Sequence, residues 1–330
     1  MYESYYGLKE RPFQLTPNPN WFFASKLHKR ALAYLQYGLT QGEGFIVITG
    51  DVGTGKTTIA NQLLNQLNQD EIVAKQIVTS KLAPDDLIRM IASSFNLVVN
   101  EHNKASYLDA IYNYLKRLHA QHRRALLLVD EAQNLPLESI EELRMLSNFQ
   151  VNGKPLLQSF LLGQNELNPI IQAPNMEQFR QRIIASSNLT ALQTDETQAY
   201  IEFRLNQAGA RDGLIAEACY PDIQQFSRGI PRKINLLMDR VMLYGYLEDL
   251  TTIERHDVQT VISELSQEVA NQVTAQPSAE TSDGEQQAKV LKDINALLDS
   301  SLEQKVKLAR ELDQLLKKQK QILDSQPKEN

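Results

Sequence analysis

Residues 50–57 read G-D-V-G-T-G-K-T, a glycine-rich segment that ends in a lysine and a threonine. It follows the β-branched run 45–49 and precedes a helical pattern, the strand–loop–helix context that a phosphate-binding loop requires. The glycines let backbone N–H groups converge on one anion, which the helix dipole also favours. We expect Lys56 to reach the β- and γ-phosphates and the Thr57 hydroxyl to ligate Mg²⁺. The residues expected to bind a nucleoside triphosphate are Gly50, Asp51, Val52, Gly53, Thr54, Gly55, Lys56, Thr57 and Thr58.

An acidic pair follows an apolar run at residues 125–133, A-L-L-L-V-D-E-A-Q. A buried strand here would deliver Asp130 and Glu131 to the C-terminal edge of a sheet, beside the phosphate loop. Asp130 can then hold Mg²⁺ through its water shell, and Glu131 can polarise an attacking water as general base. Gln133 either orients Glu131, senses the γ-phosphate or is a polar residue at a helix start. Together the two motifs predict hydrolysis of the nucleotide rather than its storage.

Strand and helix patterns alternate over the first part of the chain, which predicts an α/β fold with a mostly parallel sheet covered on both faces. The predicted strands are 45–49, 72–78, 125–129, 159–162 and a short one at 189–191. The predicted helices are 57–68, 84–95, 105–121, 137–148 and 174–182. This pattern predicts a five-stranded sheet that carries both motifs.

The remainder of the chain is predicted to be helical. Asp195 can cap the first of several helices, so we predict a nucleotide-binding core over residues 1–194 and a small helical lid domain over 195–270. Residues 271–288 are polar and poor in large apolar side chains, which predicts a flexible linker. Leucine and isoleucine at heptad positions then predict an amphipathic coiled-coil helix over 289–325. That helix would join copies of the chain, dock on a partner or fold back on the body.

Composition restricts the class of protein. The formal charge of −6 argues against a chain that coats nucleic acid through bulk charge. Cys219 is the single cysteine, so no internal disulfide can form, which suits a reducing compartment. No leader peptide and no apolar run of membrane-spanning length is visible, which predicts a cytoplasmic protein whose membrane role would need a partner.

The G-x-x-G-x-G-K-T-T and D-E-A-Q motifs resemble those of the AAA+ ATPases, in the branch of general secretion pathway protein A. That branch includes the ATPases of pilus-biogenesis loci and of exosortase (PEP-CTERM) exopolysaccharide loci. The opening Y-Y-G-L-K-E-R-P-F-Q-L-T-P-N-P and the later A-L-A-Y-L-Q-Y-G-L-T-Q-G-E-G-F-I-V-I-T-G are similar to the N-terminal signature of the branch. The resemblance covers about residues 2–268. It implies ATP and Mg²⁺ as ligands and a homo-oligomer that assembles with nucleotide.

The resemblance also implies roles for individual residues. Gln164, after F-L-L-G, would be the sensor-1 residue that contacts the γ-phosphate or the attacking water. Either Arg182 or Arg180, with Arg182 preferred, would be an arginine finger that reaches the ATP of a neighbouring subunit. Arg232, in G-I-P-R-K-I-N, would be the sensor-2 residue of the lid. Residues 13–17 and His28 would line the adenine side of the cleft.

The function that the resemblance implies is the coupling of ATP hydrolysis to an envelope export system, most closely exopolysaccharide or exosortase-associated secretion. A protein partner of that system would bind the C-terminal helix and could hold the chain at the inner membrane. The alternative is a DNA-acting AAA+ ATPase of the transposition-regulator or origin-binding type. A helicase would need a second RecA-like half after residue 195, which the sequence lacks.

Overall fold

The computed structural model describes residues 2–15 and 21–273. The described chain forms two compact units, of which the first contains residues 21–200 and 229–232 and the second contains residues 2–15, 201–228 and 233–273. The predicted coiled-coil helix and most of the predicted linker lie outside the described residues. The last helix runs to Val273, three residues into the segment that was predicted to be linker.

A five-stranded parallel sheet forms the centre of the first unit. Its strands are β1 (Phe45–Gly50), β2 (Ile72–Val78), β3 (Arg124–Asp130), β6 (Leu157–Gly163) and β7 (Ile183–Leu189). They lie in the order β2-β3-β6-β1-β7, so the two strands that carry the motifs, β1 and β3, flank β6. The prediction of a parallel five-stranded sheet is confirmed. A small antiparallel pair, β4 (Gln150–Val151) and β5 (Lys154–Pro155), was not predicted.

The fifth strand lies earlier in the chain than predicted. The sequence analysis put it at 189–191, whereas β7 ends at Leu189. β7 is an edge strand of sequence I-I-A-S-S-N-L, and only its last residue is fully buried. An edge strand carries polar side chains, so its apolar signal is weak. The helix predicted at 174–182 is correspondingly shorter, a 3-10 turn at Pro174–Met176 followed by α8 (Glu177–Arg180).

Helices cover both faces of the sheet. One face packs on α2 (Lys26–Gln41) and α3 (Lys56–Gln66). The other packs on α4 (Pro84–Ser94), α5 (Lys104–Ala120), α6 (Leu137–Leu146), α7 (Leu167–Gln172) and α8. Neighbouring residues of one strand point to opposite faces of the sheet. Ile46 and Ile48 therefore pack on the side of α2 and α3, while Phe45 and Val47 pack on the side of α4 to α8. All six residues of β1 are buried, as expected for a central strand.

A buried amide fixes the entry into β1. Gln158 of β6 donates to the carbonyl oxygen of Gly38 at 2.7 Å and to that of Glu43 at 3.0 Å. These two carbonyl groups lie near the end of α2 and in the turn that precedes β1. The Gly38 carbonyl also accepts the Gly42 N–H at 3.1 Å, so Gln158 adds a second bond there and connects β6 to the turn that precedes β1.

The second unit is helical in its described part. It contains α1 (Tyr2–Tyr5), the later turns of α9 (Thr194–Ala208), α10 (Tyr220–Ser227), most of α11 (Pro231–Leu247) and α12 (Arg255–Val273). No helix among the residues described is both long enough and apolar enough to cross a membrane.

The N-terminal segment belongs to this helical unit, although the sequence analysis placed it with the core. The Tyr2 hydroxyl donates to Asp239 Oδ1 at 2.5 Å, and the Lys9 N–H donates to the Ala208 carbonyl at 2.8 Å. Arg204, a buried residue, donates from Nε to the carbonyl oxygen of Pro12 at 2.6 Å. These contacts join distant parts of the sequence, so no local sequence pattern predicts them.

Candidate nucleotide-binding site

The phosphate loop joins the buried strand β1 to α3. Two of its glycines adopt backbone angles that favour glycine, with φ of 83° at Gly53 and 100° at Gly55. Close neighbours also exclude a side chain at both positions. A Cβ atom at Gly53 would lie 2.5 Å from the Cβ of Arg232, and one at Gly55 would lie 2.8 Å from His28 Nε2. The loop conformation therefore requires glycine for both torsional and steric reasons.

The carbonyl groups of the loop are bonded to other parts of the first unit. Lys56 Nζ donates to the carbonyl oxygens of Gly50 at 2.8 Å and Asp51 at 2.9 Å. The Gly53 carbonyl accepts the backbone N–H of Arg232 at 3.3 Å. The carbonyl oxygen of Thr54, which follows Gly53, lies 3.0 Å from His28 Nε2.

Lys56 is buried among acidic groups. Burial lowers the pKa of its ammonium group, while the carboxylates of Glu131, Asp130, Asp51 and Glu166 act in the opposite direction. A cation that is partly desolvated in this way attracts an anion more strongly than a surface lysine does. The position suits a phosphate ligand.

Asp130 lies beside the first turn of α3. Its Oδ2 accepts the Thr57 hydroxyl at 3.0 Å, and its Oδ1 accepts the Glu131 N–H at 3.0 Å. The carboxyl group is buried, which raises its pKa above the ordinary value, and the Thr57 hydrogen bond only partly offsets that effect. Two hard oxygen donors so close together fit Mg²⁺, which uses one or two protein ligands and keeps several waters.

Glu131 has a left-handed backbone, with φ of 57° and ψ of 36°. Such a conformation costs about 1 kcal/mol or more for a residue other than glycine and persists only where neighbours hold it. Here Thr79 does so, because its hydroxyl lies 2.9 Å from the Asp130 carbonyl oxygen and 2.8 Å from that of Glu131. The backbone therefore turns sharply at the acidic pair.

Two amide side chains fix the Glu131 carboxylate. Gln133 Nε2 donates to Glu131 Oε2 at 2.7 Å, and Gln164 Nε2 donates to the same oxygen at 3.3 Å. Gln133 Oε1 also accepts the backbone N–H of Gln164 at 2.9 Å. Gln133 thus joins the end of β3 to the end of β6, which agrees with the first of its three interpretations.

Sequence analysis missed two residues that contact these motifs, Asn165 and Thr79, and expected a third, His28, at the adenine side instead. Asn165 Nδ2 donates to Asp51 Oδ1 at 2.6 Å, Thr79 bonds to the acidic pair, and His28 bonds to the phosphate loop. Asn165 and Thr79 follow β6 and β2, and the ends of parallel strands meet at one edge of a sheet. A search for polar residues at strand ends would have found both. His28 precedes β1, and no pattern in the sequence predicts its contact with the phosphate loop.

The two arginines considered for the finger and the arginine expected as sensor 2 differ in what they contact. Arg180 Nη1 donates to the carbonyl oxygens of Ile171 at 2.9 Å and Ala173 at 2.7 Å. Arg182 donates to Ser147 Oγ at 2.7 Å and also to the side chain of Asn148. Both arginines thus bond to residues outside the phosphate loop, whereas Arg232 lies against that loop at Gly53.

Of the residues expected at the adenine side, His28 lies beneath the phosphate loop. Residues 13–15 are part of the helical unit, where the Gln14 carbonyl accepts Asn235 Nδ2 at 3.1 Å. Residues 16 and 17 lie outside the described residues.

The strand order, the phosphate loop after β1 and the acidic pair after β3 define the fold as that of a P-loop NTPase of the AAA type. Residues 39–171 match the family described as AAA domain.

The match to an individual protein is longer than the match to the family. Over 267 residues the chain is 37% identical to General secretion pathway protein A of Aeromonas hydrophila. The match covers 81% of this chain and 49% of that protein, so the chain spans about half the length of the relative.

Solved structures share the fold at lower identity. Cdc6p from Pyrobaculum aerophilum has a TM-score of 0.60 and 17% identity, over 79% of this chain and 71% of that one. The ORC1 protein of Aeropyrum pernix, solved in complex with DNA, has a TM-score of 0.60 and 15% identity, over 82% and 73% of the two chains. At these identities the likeness concerns the fold alone.

We predict that Asp130→Asn stabilises the nucleotide-free protein, raising the free energy of unfolding by about 1 kcal/mol at pH 7. The Asp130 pKa in the folded state lies above its ordinary value of 3.8. As the pH rises through that ordinary value, the unfolded chain releases the proton first, and the fold loses stability until the pH passes the folded-state pKa. The gain from the substitution is therefore smaller at pH 4 than at pH 7, which denaturant titrations at both pH values would measure.

The control for this experiment is Asp109→Asn on the exposed side of α5, which we expect to change stability by less than about 0.5 kcal/mol. A loss of stability in Asp130→Asn at pH 7 would show that the carboxylate is favourably paired rather than held at a cost.

Proposed function

We propose that this chain hydrolyses ATP and couples its nucleotide state to the assembly or regulation of an envelope export system. The observation that carries the enzymatic part is the meeting of Lys56, Thr57, Asp130, Glu131 and Gln164 at one edge of the sheet of a single unit. The likeness to General secretion pathway protein A supports the link to secretion. Within that class, our proposal is an exopolysaccharide or exosortase-associated system.

The chemistry follows from where each group lies. In this proposal the N–H groups of residues 50–58 and the Lys56 ammonium bind the β- and γ-phosphates, and Thr57 and Asp130 hold Mg²⁺. That ion, when bound, neutralises charge that develops on the phosphate oxygens. A water attacks the γ-phosphorus, its proton passes to the Glu131 carboxylate, and the bond to the ADP oxygen breaks. Gln164 contacts the γ-phosphate or the same water.

Gln133 acts in this scheme as a positioning residue for the general base. Its Nε2–H to Glu131 Oε2 bond leaves the other carboxylate oxygen, Oε1, available to a water. Its second bond, in which Oε1 accepts the Gln164 N–H, fixes the backbone of the proposed sensor-1 residue at the same time. The two contacts support the orienting interpretation over direct contact of Gln133 with phosphate.

We expect Glu131→Gln to reduce ATP turnover by a factor of at least about 100 while ATP binding persists. The amide cannot accept the proton from water, and general-base catalysis contributes a factor of this order. Phosphate release and the binding of a fluorescent ATP analogue would be measured on the same preparation.

Glu138→Gln provides the control, because Glu138 is an exposed residue of the neighbouring helix α6 and should behave like the unaltered protein. Turnover by Glu131→Gln at the unaltered rate would remove the assigned base and with it the proposed mechanism.

The proposed assembly is a homo-oligomer that forms with ATP, and Arg182 is its finger. Arg180 bonds two partly buried backbone carbonyl groups of its own chain, so its removal would cost both of these hydrogen bonds. Arg182 bonds two polar side chains, and such contacts can be exchanged for contacts with a phosphate at little cost. This difference favours Arg182 for a role in a neighbouring site.

Arg182→Ala should therefore lower turnover about 10³-fold or more, as loss of an arginine finger does. Mixing it with Glu131→Gln should restore activity, because a site with an intact Glu131 can then face an intact Arg182 of the other variant. Turnover per subunit of the unaltered protein should also rise with protein concentration. Turnover independent of concentration, together with an active Arg182→Ala, would instead indicate a self-contained ATP switch.

Arg232 completes the proposed site as sensor 2. Its backbone N–H donates to the Gly53 carbonyl of the phosphate loop, and the carbonyl of Gly229, three residues earlier, accepts the Leu192 N–H at 2.8 Å. Arg232 stands in the first turn of α11, and the later turns of this helix form part of the helical unit. In the proposal, movement of the loop with nucleotide state passes to that unit along α11.

In the cell, we propose a cytoplasmic chain held at the inner membrane by a protein of the export system. The segment proposed to bind that partner, 289–325, lies outside the described residues.

The DNA-acting alternative has support in the folds of Cdc6p and of ORC1, the second of which was solved with DNA. Our proposal expects no retention of a labelled duplex at about 150 mM salt, because the formal charge of −6 opposes binding to phosphates. Fluorescence anisotropy from about 50 to 200 mM salt, with and without an ATP analogue, would measure it. Retention at the higher salt that depends on the analogue would favour the DNA-acting function.

A further inference from the structure

His28 is a buried histidine of α2 whose two ring nitrogens both have partners. Nε2 lies 3.0 Å from the carbonyl oxygen of Thr54 in the phosphate loop, and Nδ1 lies 2.7 Å from Ser25 Oγ. Ser25 caps α2, since its Oγ accepts the backbone N–H of His28 at 3.3 Å. Phe22 packs edge-on against the imidazole ring. The ring is therefore fixed in position from several sides.

These partners determine the tautomer. A carbonyl oxygen can only accept a hydrogen bond, so Nε2 must carry the hydrogen that faces Thr54. Nδ1 is then the acceptor and takes the Ser25 hydroxyl hydrogen, which leaves the Ser25 oxygen free to accept the His28 N–H. Burial lowers the pKa of His28, in agreement with a neutral ring.

The bond to Thr54 fixes the orientation of one peptide group. In a trans peptide the C=O and the following N–H point in opposite directions. A Thr54 carbonyl held toward His28 therefore turns the Gly55 N–H to the other side of the loop. Gly55 also has no Cβ, and a Cβ would lie 2.8 Å from Nε2, so the ring packs directly beneath this peptide.

We propose that His28 is a positioning residue of the phosphate loop, which holds the Thr54–Gly55 peptide so that the Gly55 N–H faces the phosphates of the nucleotide. The proposal rests on the nucleotide binding proposed above and names how the same site is preorganised. It differs from the expectation that His28 lines the adenine side, because a residue at that side would act on the base.

Two substitutions separate the ring nitrogens. His28→Gln can place an amide N–H close to the position of Nε2, and His28→Asn can occupy only the position of Nδ1. We expect His28→Asn to weaken ATP binding about tenfold, as an unpaired buried carbonyl would allow the peptide to turn. His28→Gln should bind within about threefold of the unaltered protein, because it keeps a donor for Thr54. Rescue by glutamine but not by asparagine is not expected from a loss of packing alone.

The ligands in this experiment are ATP, GTP and inorganic pyrophosphate, each competed against a fluorescent ATP analogue. A role in positioning the loop predicts that His28→Asn weakens all three by a similar factor. A change in the preference for ATP over GTP, with pyrophosphate binding unchanged, would overturn the proposal and favour a contact with the base. Equal binding by His28→Asn and the unaltered protein would overturn it as well.

A second measurement uses the unaltered protein and does not depend on the folding of a variant. Two-bond ¹H–¹⁵N correlations of the imidazole rings report the tautomer of each histidine, and Nε2–H is expected for His28. An Nδ1–H tautomer would remove the donor to Thr54 and refute the proposal. If the unaltered protein has the Nε2–H tautomer but binds no ATP, the proposed function is refuted, whereas the hydrogen bond from His28 to Thr54 is supported.

Discussion

The orientation of the peptide groups in the phosphate loop is the constraint on which the rest of the site depends. Backbone N–H groups can converge on an anion only if the carbonyl oxygens of the same loop find donors elsewhere. Here those donors come from three places, the Lys56 side chain, the His28 ring and the Arg232 backbone. Lys56 and His28 belong to the starts of α3 and α2 and Arg232 to the segment 229–232 of the same unit, so the conformation of the loop depends on all three.

Burying charged groups at a ligand site destabilises the ligand-free protein. Lys56 and Asp130 are both buried, and burial opposes the charged form of each, lowering the pKa of one and raising that of the other. Their mutual attraction offsets the cost only in part, as is usual for desolvated ions. A triphosphate and its cation would supply the missing charges. The stability of this unit is therefore expected to be linked to its ligand.

The sequence predicted those parts of the site that are local. The phosphate loop is contiguous, and β1 and β3 are apolar runs, so their motifs and their place at one sheet edge could be inferred together. β7 was misplaced because an edge strand need not be apolar. The contacts of His28 with Thr54 and of Tyr2 with Asp239 join residues far apart in the chain. Such contacts arise from packing, on which single-sequence patterns carry no information.

The end of β6 connects the two halves of the site. Gln164 bonds the Glu131 carboxylate, and its neighbour Asn165 bonds the Asp51 carboxylate in the phosphate loop. Because adjacent residues make these contacts, a shift of this short segment would act on the proposed general base, Glu131, and on the loop at once. Gln133 strengthens the connection, since it binds both the Glu131 carboxylate and the Gln164 backbone. In the proposed mechanism, a nucleotide that displaces the Asp51 side chain would shift Asn165 and, through Gln164, the orientation of Glu131, which would couple binding to hydrolysis within one unit.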